Sequence, residues 1–304
     1  MNRLPVCNRR QFIQSLCLLP LGSYSPASAG QAPAEDSLVK TDPIRFGMTP
    51  TFLHDQHSLL EQWRLYMIHR LGNRVNFIRR DSYRETMDLL RLNQLDFAWI
   101  CDYPYLYLRE LLRLLVVPVY QGKPTYYSYL IVNTRESTVT GFADLKGKLF
   151  AYADPYSNSG YLVPRYQIHL LGEDPGRFFK KGFFTWSNRK VVEAVAHGLA
   201  QGGAVDSYVW DSLAILEPEL TAMTRIVWKS PGYGFPPIVA QEKNVSDDNF
   251  NEMQQLLLSM HEDEEGRRLL QQLNLDGFSV QQPGLYDGVV EMMKVFGEYD
   301  TRLL

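Results

Sequence analysis

The sequence predicts an α/β protein of two lobes, with the second lobe inserted into the first. Short apolar runs alternate with amphipathic, helix-length segments between residues 44 and 100, and the same alternation returns between residues 149 and 228. Alternation of this kind is typical of a parallel sheet with helices on its faces. A return strand at 237–240 follows the second set. We therefore expect the chain to cross between the lobes twice.

The first set contains predicted strands at 44–48, 75–78 and 97–100 and predicted helices at 59–71 and 82–92. In the first helix Leu60, Trp63, Met67 and Leu71 recur at helical spacing, and Gly72 follows as a C-cap glycine. Strands at 114–120 and 126–132, without a helix between them, and a short helical turn at 142–147 come next.

The second set contains predicted strands at 149–152, 183–185, 203–205 and 225–228 and predicted helices at 161–171, 189–197 and 208–216. Three helices are expected after residue 247. These patterns predict a first lobe of residues 30–133 and 229–304 and a second lobe of residues 134–228. A hinge near Asn133 and Lys229 would let the lobes close on a ligand.

The N-terminus resembles an export signal. Arg9 and Arg10 form a twin-arginine-like motif, residues 12–21 are mostly apolar, and residues 27–29 offer a small-residue cleavage site. The apolar stretch is too short to span a bilayer. Cys17 raises a lipoprotein alternative, but no good lipobox surrounds it. We expect residues 1–29 to be removed and the product to be periplasmic, although an ordinary tail would also fit the composition.

Charge and cysteine content limit the possible functions. The formal net charge is −3, and the expected leader carries arginine but no acid, so the mature chain would be more acidic still. An acidic chain is a poor nucleic-acid binder, because the phosphate backbone requires a basic surface. After cleavage Cys101 would be the only cysteine, which excludes an internal disulfide.

A strand, a short polar turn and a helix start follow one another at residues 149–171. The turn contains Ser157, Asn158, Ser159 and Gly160. The first N–H groups of a helix lack internal partners, and the helix dipole favours negative charge there. Serine hydroxyls add donors, and glycine allows close approach of a ligand. The segment therefore predicts an oxyanion site at these four residues, although a turn that only caps the helix is the alternative.

The string DPYSNSGYLVP at 154–164 resembles the signature of the periplasmic phosphate/phosphite/phosphonate-binding proteins, the PhnD-like family. Similar blocks recur in order at 95–99, 129–133, 142–147 and 228–231 with 237–239. The resemblance implies a type II periplasmic-binding-protein fold with the ligand in the interlobe cleft. It also implies that Tyr83 and Tyr126 contact the oxyanion. Packing is the alternative role for both tyrosines.

Departures from the family pattern bear on the ligand. Family carboxylates that hold a ligand ammonium group align with Tyr208 and with Pro236, and a family His-acid pair aligns with Asn188 and Arg189. These departures predict a site without carboxylates, and hence a plain oxyanion rather than an aminophosphonate. Arg189 would clamp the anion through two hydrogen bonds. The alternative is a surface arginine without a role in binding.

Cys101 follows the strand at 97–100, where cleft residues are expected. Two interpretations remain open for it. A small buried apolar residue is the simpler. The other is a soft ligand, because some similar proteins use a cleft cysteine to bind arsenite for a sensor kinase.

The resulting hypothesis is a monomeric solute-binding protein, not an enzyme, that captures phosphate, phosphite or a small phosphonate for an ABC transporter. Presentation of an oxyanion or arsenite to a membrane sensor histidine kinase is the alternative. No cofactor, metal or nucleic acid is expected. An enzyme would need a nucleophile or an acid–base pair in the cleft, and none is visible in the sequence.

Overall fold

The structure, a computed structural model, describes residues 42–49 and 57–299. The expected export signal lies outside these residues. The first half of the fold is a six-stranded sheet with strands β1 Ile44–Met48, β2 Val75–Arg79, β3 Phe97–Trp99, β4 Leu112–Val119, β12 Ile238–Gln241 and β13 Gly277–Ser279. Their order is β13-β4-β12-β3-β1-β2. β1 is parallel to β2 and β3, whereas β12, β4 and β13 join by antiparallel pairing.

A second sheet of five strands forms the other half, with β6 Ser128–Asn133, β7 Leu149–Tyr152, β8 Lys181–Phe184, β9 Gly202–Asp206 and β10 Thr224–Lys229. The order is β10-β6-β9-β7-β8. β7 runs parallel to both of its neighbours, β8 at the edge and β9 at the centre. β6 joins antiparallel to both β9 and β10.

A two-stranded ribbon lies where the chain passes between the two sheets. β5 Thr125–Tyr126 pairs antiparallel with β11 Tyr233–Gly234. β5 directly precedes β6, and β11 follows β10, so the outgoing and returning crossovers run side by side. Below, lobe 1 means the six-stranded sheet with its helices, and lobe 2 means the five-stranded sheet with its helices.

Ten α-helices cover the sheets within the described residues: α1 His57–Leu71, α2 Tyr83–Arg91, α3 Asp102–Leu108, α4 Val163–Leu170, α5 Asn188–Ala196, α6 Ser207–Leu216, α7 Pro218–Thr221, α8 Asp247–Leu258, α9 Glu264–Gln272 and α10 Asp287–Val295. α4 is preceded by one π-helical turn, Asn158–Leu162. No helix in 42–49 or 57–299 combines the length and apolar character needed to cross a membrane.

Aromatic rings pack against strands of both sheets. In lobe 1, Trp63 of α1 makes an edge contact with Phe46 of β1 and with Trp99 of β3, each at 5.9 Å between ring centroids. In lobe 2, Phe150 of β7 stacks on Phe179 at 4.2 Å. Aromatic pairs at such distances stabilise the fold beyond the burial of their apolar area. They therefore hold β3 and β7 in place.

Several features differ from the sequence prediction. The predicted strand at 126–132 is two strands, and β6, which was assigned to lobe 1, pairs within the second sheet. The crossovers therefore lie near residues 126–128 and 229–233, and the first is several residues earlier than the expected boundary at 133. Helix α3, helix α7 and strand β13 were not predicted.

Candidate functional site

The turn predicted to bind an anion lies at the carboxyl end of β7 and is closed by π-helical hydrogen bonds. Leu162 N–H donates to the Ser157 carbonyl over 3.0 Å, and Val163 N–H donates to the Asn158 carbonyl. Both bonds span five residues, and single π turns of this kind are frequent at functional sites. All four residues 157–160 are buried.

Pro164 explains the backbone arrangement of this turn. Proline has no N–H, so the carbonyl five residues earlier, that of Ser159, loses its partner in the π register. Ser128 of β6 supplies a replacement, because its hydroxyl donates to the Ser159 carbonyl over 2.7 Å. The Gly160 carbonyl accepts from Ala153 N–H at 3.3 Å. The turn is therefore tied to two strands of the second sheet.

Hydroxyl hydrogens remain available in the turn and opposite it. Ser157 Oγ accepts from Gly160 N–H at 3.0 Å, which leaves the hydroxyl hydrogen unused. Within the described part of the chain the Ser159 hydroxyl has no hydrogen-bond partner. Tyr83, at the start of α2 in lobe 1, accepts at its hydroxyl from Asn188 Nδ2 over 3.4 Å, so its hydrogen is also free. Three neutral hydroxyl groups from both lobes can therefore donate to an anion.

Asp102 is the centre of a buried network beside the turn. It is the first residue of α3 and is 0% exposed. Its Oδ1 accepts from the Tyr126 hydroxyl at 3.0 Å and from the Cys101 thiol at 2.8 Å. Its Oδ2 accepts from Asn158 Nδ2 at 2.7 Å. Asp102 thereby joins lobe 1, the crossover ribbon and lobe 2.

Asn158 is left with a buried oxygen that has no partner. Its Nδ2 donates to Asp102 and also to the Tyr126 hydroxyl, at 2.7 and 3.1 Å. Both amide hydrogens are used. Asn158 itself is 0% exposed, and its Oδ1 has no hydrogen-bond partner in the structure.

Two further carboxyl groups are buried close to this network. Asp154 Oδ2 accepts from Tyr83 N–H at 3.2 Å, which is a second contact between the lobes. Asp206, at the end of β9, accepts from Tyr208 N–H at 2.8 Å. Burial raises the pKa of Asp102 to about 6. Burial, with the nearby charge of Asp102 adding to it, raises the pKa of Asp206 to about 8.

Comparison with known proteins assigns the chain to a family. The sequence profile described as "ABC transporter, phosphonate, periplasmic substrate-binding protein" matches residues 46–286. The chain belongs to this family. Its sequence is 27% identical over 243 residues to the phosphonates-binding periplasmic protein of Escherichia coli strain K12, a match that covers 76% of this chain and 70% of that protein.

Two solved structures share the fold of the present chain. One is a binding-protein component of an ABC phosphonate transporter from Pseudomonas aeruginosa, with a TM-score of 0.76, 24% identity and coverage of 84% of this chain and 87% of that chain. The other is PhnD1 from Prochlorococcus marinus in complex with methylphosphonate, with a TM-score of 0.76, 19% identity and coverage of 84% and 98%. The expected type II periplasmic-binding-protein fold is confirmed.

In this substrate-binding protein Arg189 is not placed to clamp an anion. Its guanidinium donates to Glu217 Oε1 and Oε2 at 3.0 and 2.8 Å and pairs with Glu193 at 2.5 Å. Two carboxylates already neutralise its charge. The sequence prediction of an anion clamp at Arg189 overlooked Glu193, four residues along the same helix, and Glu217, which becomes a neighbour only in the folded chain.

Other predicted site residues lie at the site but are engaged with protein groups. Tyr126 donates its hydroxyl hydrogen to Asp102. The Tyr208 hydroxyl donates to the Leu273 carbonyl at 2.5 Å, which directs it toward lobe 1. At Gly160 an added Cβ would lie 2.5 Å from Ala153 Cβ, so the glycine allows close packing of the turn on the chain just after β7 rather than access for a ligand. Cys101 is buried beside Asp102, and burial raises the pKa of its thiol.

The prediction of a site without carboxylates was also wrong. Asp102, Asp154 and Asp206 are all buried around the turn. Asp102 and Asp154 come just after β3 and β7, and Asp206 is the last residue of β9. This position at the carboxyl end of a strand was the signal that sequence reasoning overlooked. No cluster of three or more metal-ligating side chains of the His, Cys, Asp or Glu type occurs in residues 42–49 and 57–299.

Proposed function

We propose that the protein binds a small phosphorus oxyanion (phosphate, phosphite or a small phosphonate) between its lobes and delivers it to the permease of an ABC transporter. Membership of the phosphonate-binding family supports this class of ligand. The observation that carries the proposal is the set of three buried hydroxyl donors contributed by Ser157, Ser159 and Tyr83. Neutral donors in a buried site stabilise an anion without requiring a lysine or arginine.

The proposal includes export and a monomeric state. The chain would lose residues 1–29 near Ala29 and act in the periplasm as one copy, with lobe 2 spanning about residues 128–229 between the two crossovers. Mass spectrometry of the periplasmic protein checks the first point, since the expected N-terminus is Gly30. The intact Met1 terminus on cytoplasmic protein would contradict it.

Binding is tested by calorimetry and thermal unfolding with phosphate, phosphite, methylphosphonate and 2-aminoethylphosphonate. A ligand at 100 times its Kd should raise the free energy of unfolding by about 2.7 kcal/mol. Ser157→Ala combined with Ser159→Ala should abolish that increase. Loss of the Ser157 cap should lower the stability of the unliganded protein by only about 1 kcal/mol.

The matched control is Ser137→Ala, because Ser137 is an exposed serine in lobe 2. This variant should bind as wild type does. If the double variant binds the preferred ligand as tightly as wild type, the site lies elsewhere. The earlier preference against amino-bearing phosphonates rested on the supposed lack of carboxylates and is not retained, so 2-aminoethylphosphonate enters the series on equal terms.

A further inference from the structure

The neighbours of Asn158 determine which way its side-chain amide is oriented. Asp102 Oδ2 can only accept while it is ionised, so it requires Nδ2 rather than Oδ1 opposite it. The Tyr126 hydroxyl gives its hydrogen to Asp102 and therefore also accepts from Nδ2. Two independent contacts thus fix the orientation of the amide, and its planarity directs Oδ1 away from Asp102.

Oδ1 is consequently a buried acceptor that needs a donor. No described protein group donates to it. The neighbouring titratable groups of the network do not serve it: Asp102 accepts, Tyr126 and Cys101 have already given their hydrogens to Asp102, and the Tyr83 hydroxyl is in contact with Asn188 rather than with Asn158. A buried carbonyl oxygen without a partner is energetically costly. A ligand that brings a hydrogen to this atom would remove that cost on binding.

We infer that Asn158 Oδ1 accepts a hydrogen bond from a P–OH group of the ligand, so that the site selects singly ionised, protonated phosphorus oxyanions over oxyanions without a proton. This inference rests on the proposed function and names the form of its ligand. Asn158 stands between Ser157 and Ser159 in one turn, and all three side chains are buried there. The serine and Tyr83 hydroxyls donate to the unprotonated oxygens, and the P–OH hydrogen goes to Asn158.

Alkylsulfonates are the ligands that this arrangement rejects. Methanesulfonate and the monoanion of methylphosphonate are both tetrahedral, carry one negative charge and are similar in size. They differ in the central atom, and only the phosphonate carries a hydroxyl hydrogen. A sulfonate oxygen placed against Asn158 Oδ1 would bring two acceptors together and leave the amide oxygen unpaired, and sites built to bond a hydroxyl reject analogues that lack it.

The test compares the Kd of methylphosphonate and methanesulfonate by calorimetry at a pH above the Asp102 pKa of about 6, where Asp102 is ionised, and low enough that methylphosphonate still carries mainly a single charge. Wild type should prefer methylphosphonate by about tenfold or more, as one hydrogen bond predicts. Asn158→Ala should reduce that ratio by about the same factor. Asn249→Ala, which changes an exposed asparagine on α8, should leave the ratio unchanged.

Each outcome decides between hypotheses. Equal affinity of wild type for the two ligands overturns the inference without any variant, as does an undiminished ratio in Asn158→Ala. If Asn158→Ala does not fold, Asn158→Ser, whose hydroxyl can donate to Asp102, is judged by the same criterion. If 2-aminoethylphosphonate binds more tightly than methylphosphonate and Asn158→Ala removes only that excess, the donor is the ammonium group and the P–OH assignment fails. Failure of wild type to bind any phosphorus oxyanion instead refutes the proposed function.

Discussion

Asp206 is buried at the end of β9, and burial raises the pKa of its carboxyl group from 3.8 to about 8. Between about pH 4 and pH 8 the native state therefore binds more protons at this residue than the unfolded state does. The free energy of unfolding should therefore fall as the pH rises through this window. Asp102, with a pKa raised to about 6, contributes in the same direction between about pH 4 and pH 6.

Asp206→Asn should remove the contribution of Asp206 to the pH dependence of the free energy of unfolding. Asparagine can still accept from Tyr208 N–H through its amide oxygen, so the helix cap is kept. Relative to wild type, the variant should gain stability as the pH rises, by up to about 1.4 kcal/mol per pH unit. Urea unfolding at several pH values measures it, with Asp248→Asn on the exposed face of α8 as the control. Parallel pH curves for wild type and Asp206→Asn would contradict the prediction.

At the scale of the single element, the π turn owes its position to Gly160. A Cβ at this residue would meet Ala153 Cβ at 2.5 Å, and neither atom belongs to a flexible side-chain end. Gly160→Ala should therefore shift the turn and lower the free energy of unfolding by about 1–3 kcal/mol. Thermal unfolding measures this, and affinity for the preferred oxyanion should fall with it.

Gly141→Ala provides the comparison for that experiment. A Cβ at Gly141 meets no atom within 4 Å, and its φ of −171° is extended backbone open to any residue. Its stability should stay within about 0.5 kcal/mol of wild type. Equal effects of the two substitutions would mean that the contact with Ala153 does not hold the turn in place.

Elements with strong local patterns could be predicted from the sequence. The strand at 149–152 agrees with β7 in both bounds, and the helix predicted at 189–197 is α5 shifted by one residue, because each has an uninterrupted apolar run or a clear helical stripe. Helix α3 was not predicted; it is only seven residues long, too short to show a helical stripe, and it contains Pro104. Proline is tolerated in the first helical turn, where its missing N–H has no partner to lose.

The candidate site was only half predictable for a different reason. Its serines and glycine lie together in the chain, so a single string of residues identified them. Asp102 matters through contacts with Tyr126 and Asn158, which are 24 and 56 residues away. No local pattern encodes such contacts. The same is true of Arg189, whose partner Glu217 lies 28 residues further along the chain.

At the scale of the whole molecule, contacts away from the candidate site also join the lobes. Glu298, beyond α10, pairs with Arg165 of α4 at 2.9 Å, and the side chains of the pair are 24% and 18% exposed. The hydroxyl groups of Tyr103 and Tyr107 on α3 also contact the Glu298 carboxylate. Arg165 lies over the rings of Tyr161 and Phe296 at 4.8 and 4.1 Å. Glu298 therefore links helices of both lobes.

Glu298→Gln should favour the open arrangement and so weaken ligand binding, although residue 298 is not part of the candidate site. The substitution keeps the size of the side chain but leaves the half-buried Arg165 guanidinium without its counter-charge. A loss of about 1–2 kcal/mol corresponds to a 5- to 30-fold rise in the Kd of the preferred oxyanion. Calorimetry measures the Kd, and small-angle X-ray scattering should show a larger radius of gyration without ligand. Glu291→Gln breaks an exposed pair with Lys294 and should change neither quantity. An unchanged Kd in Glu298→Gln would show that this contact does not bias closure.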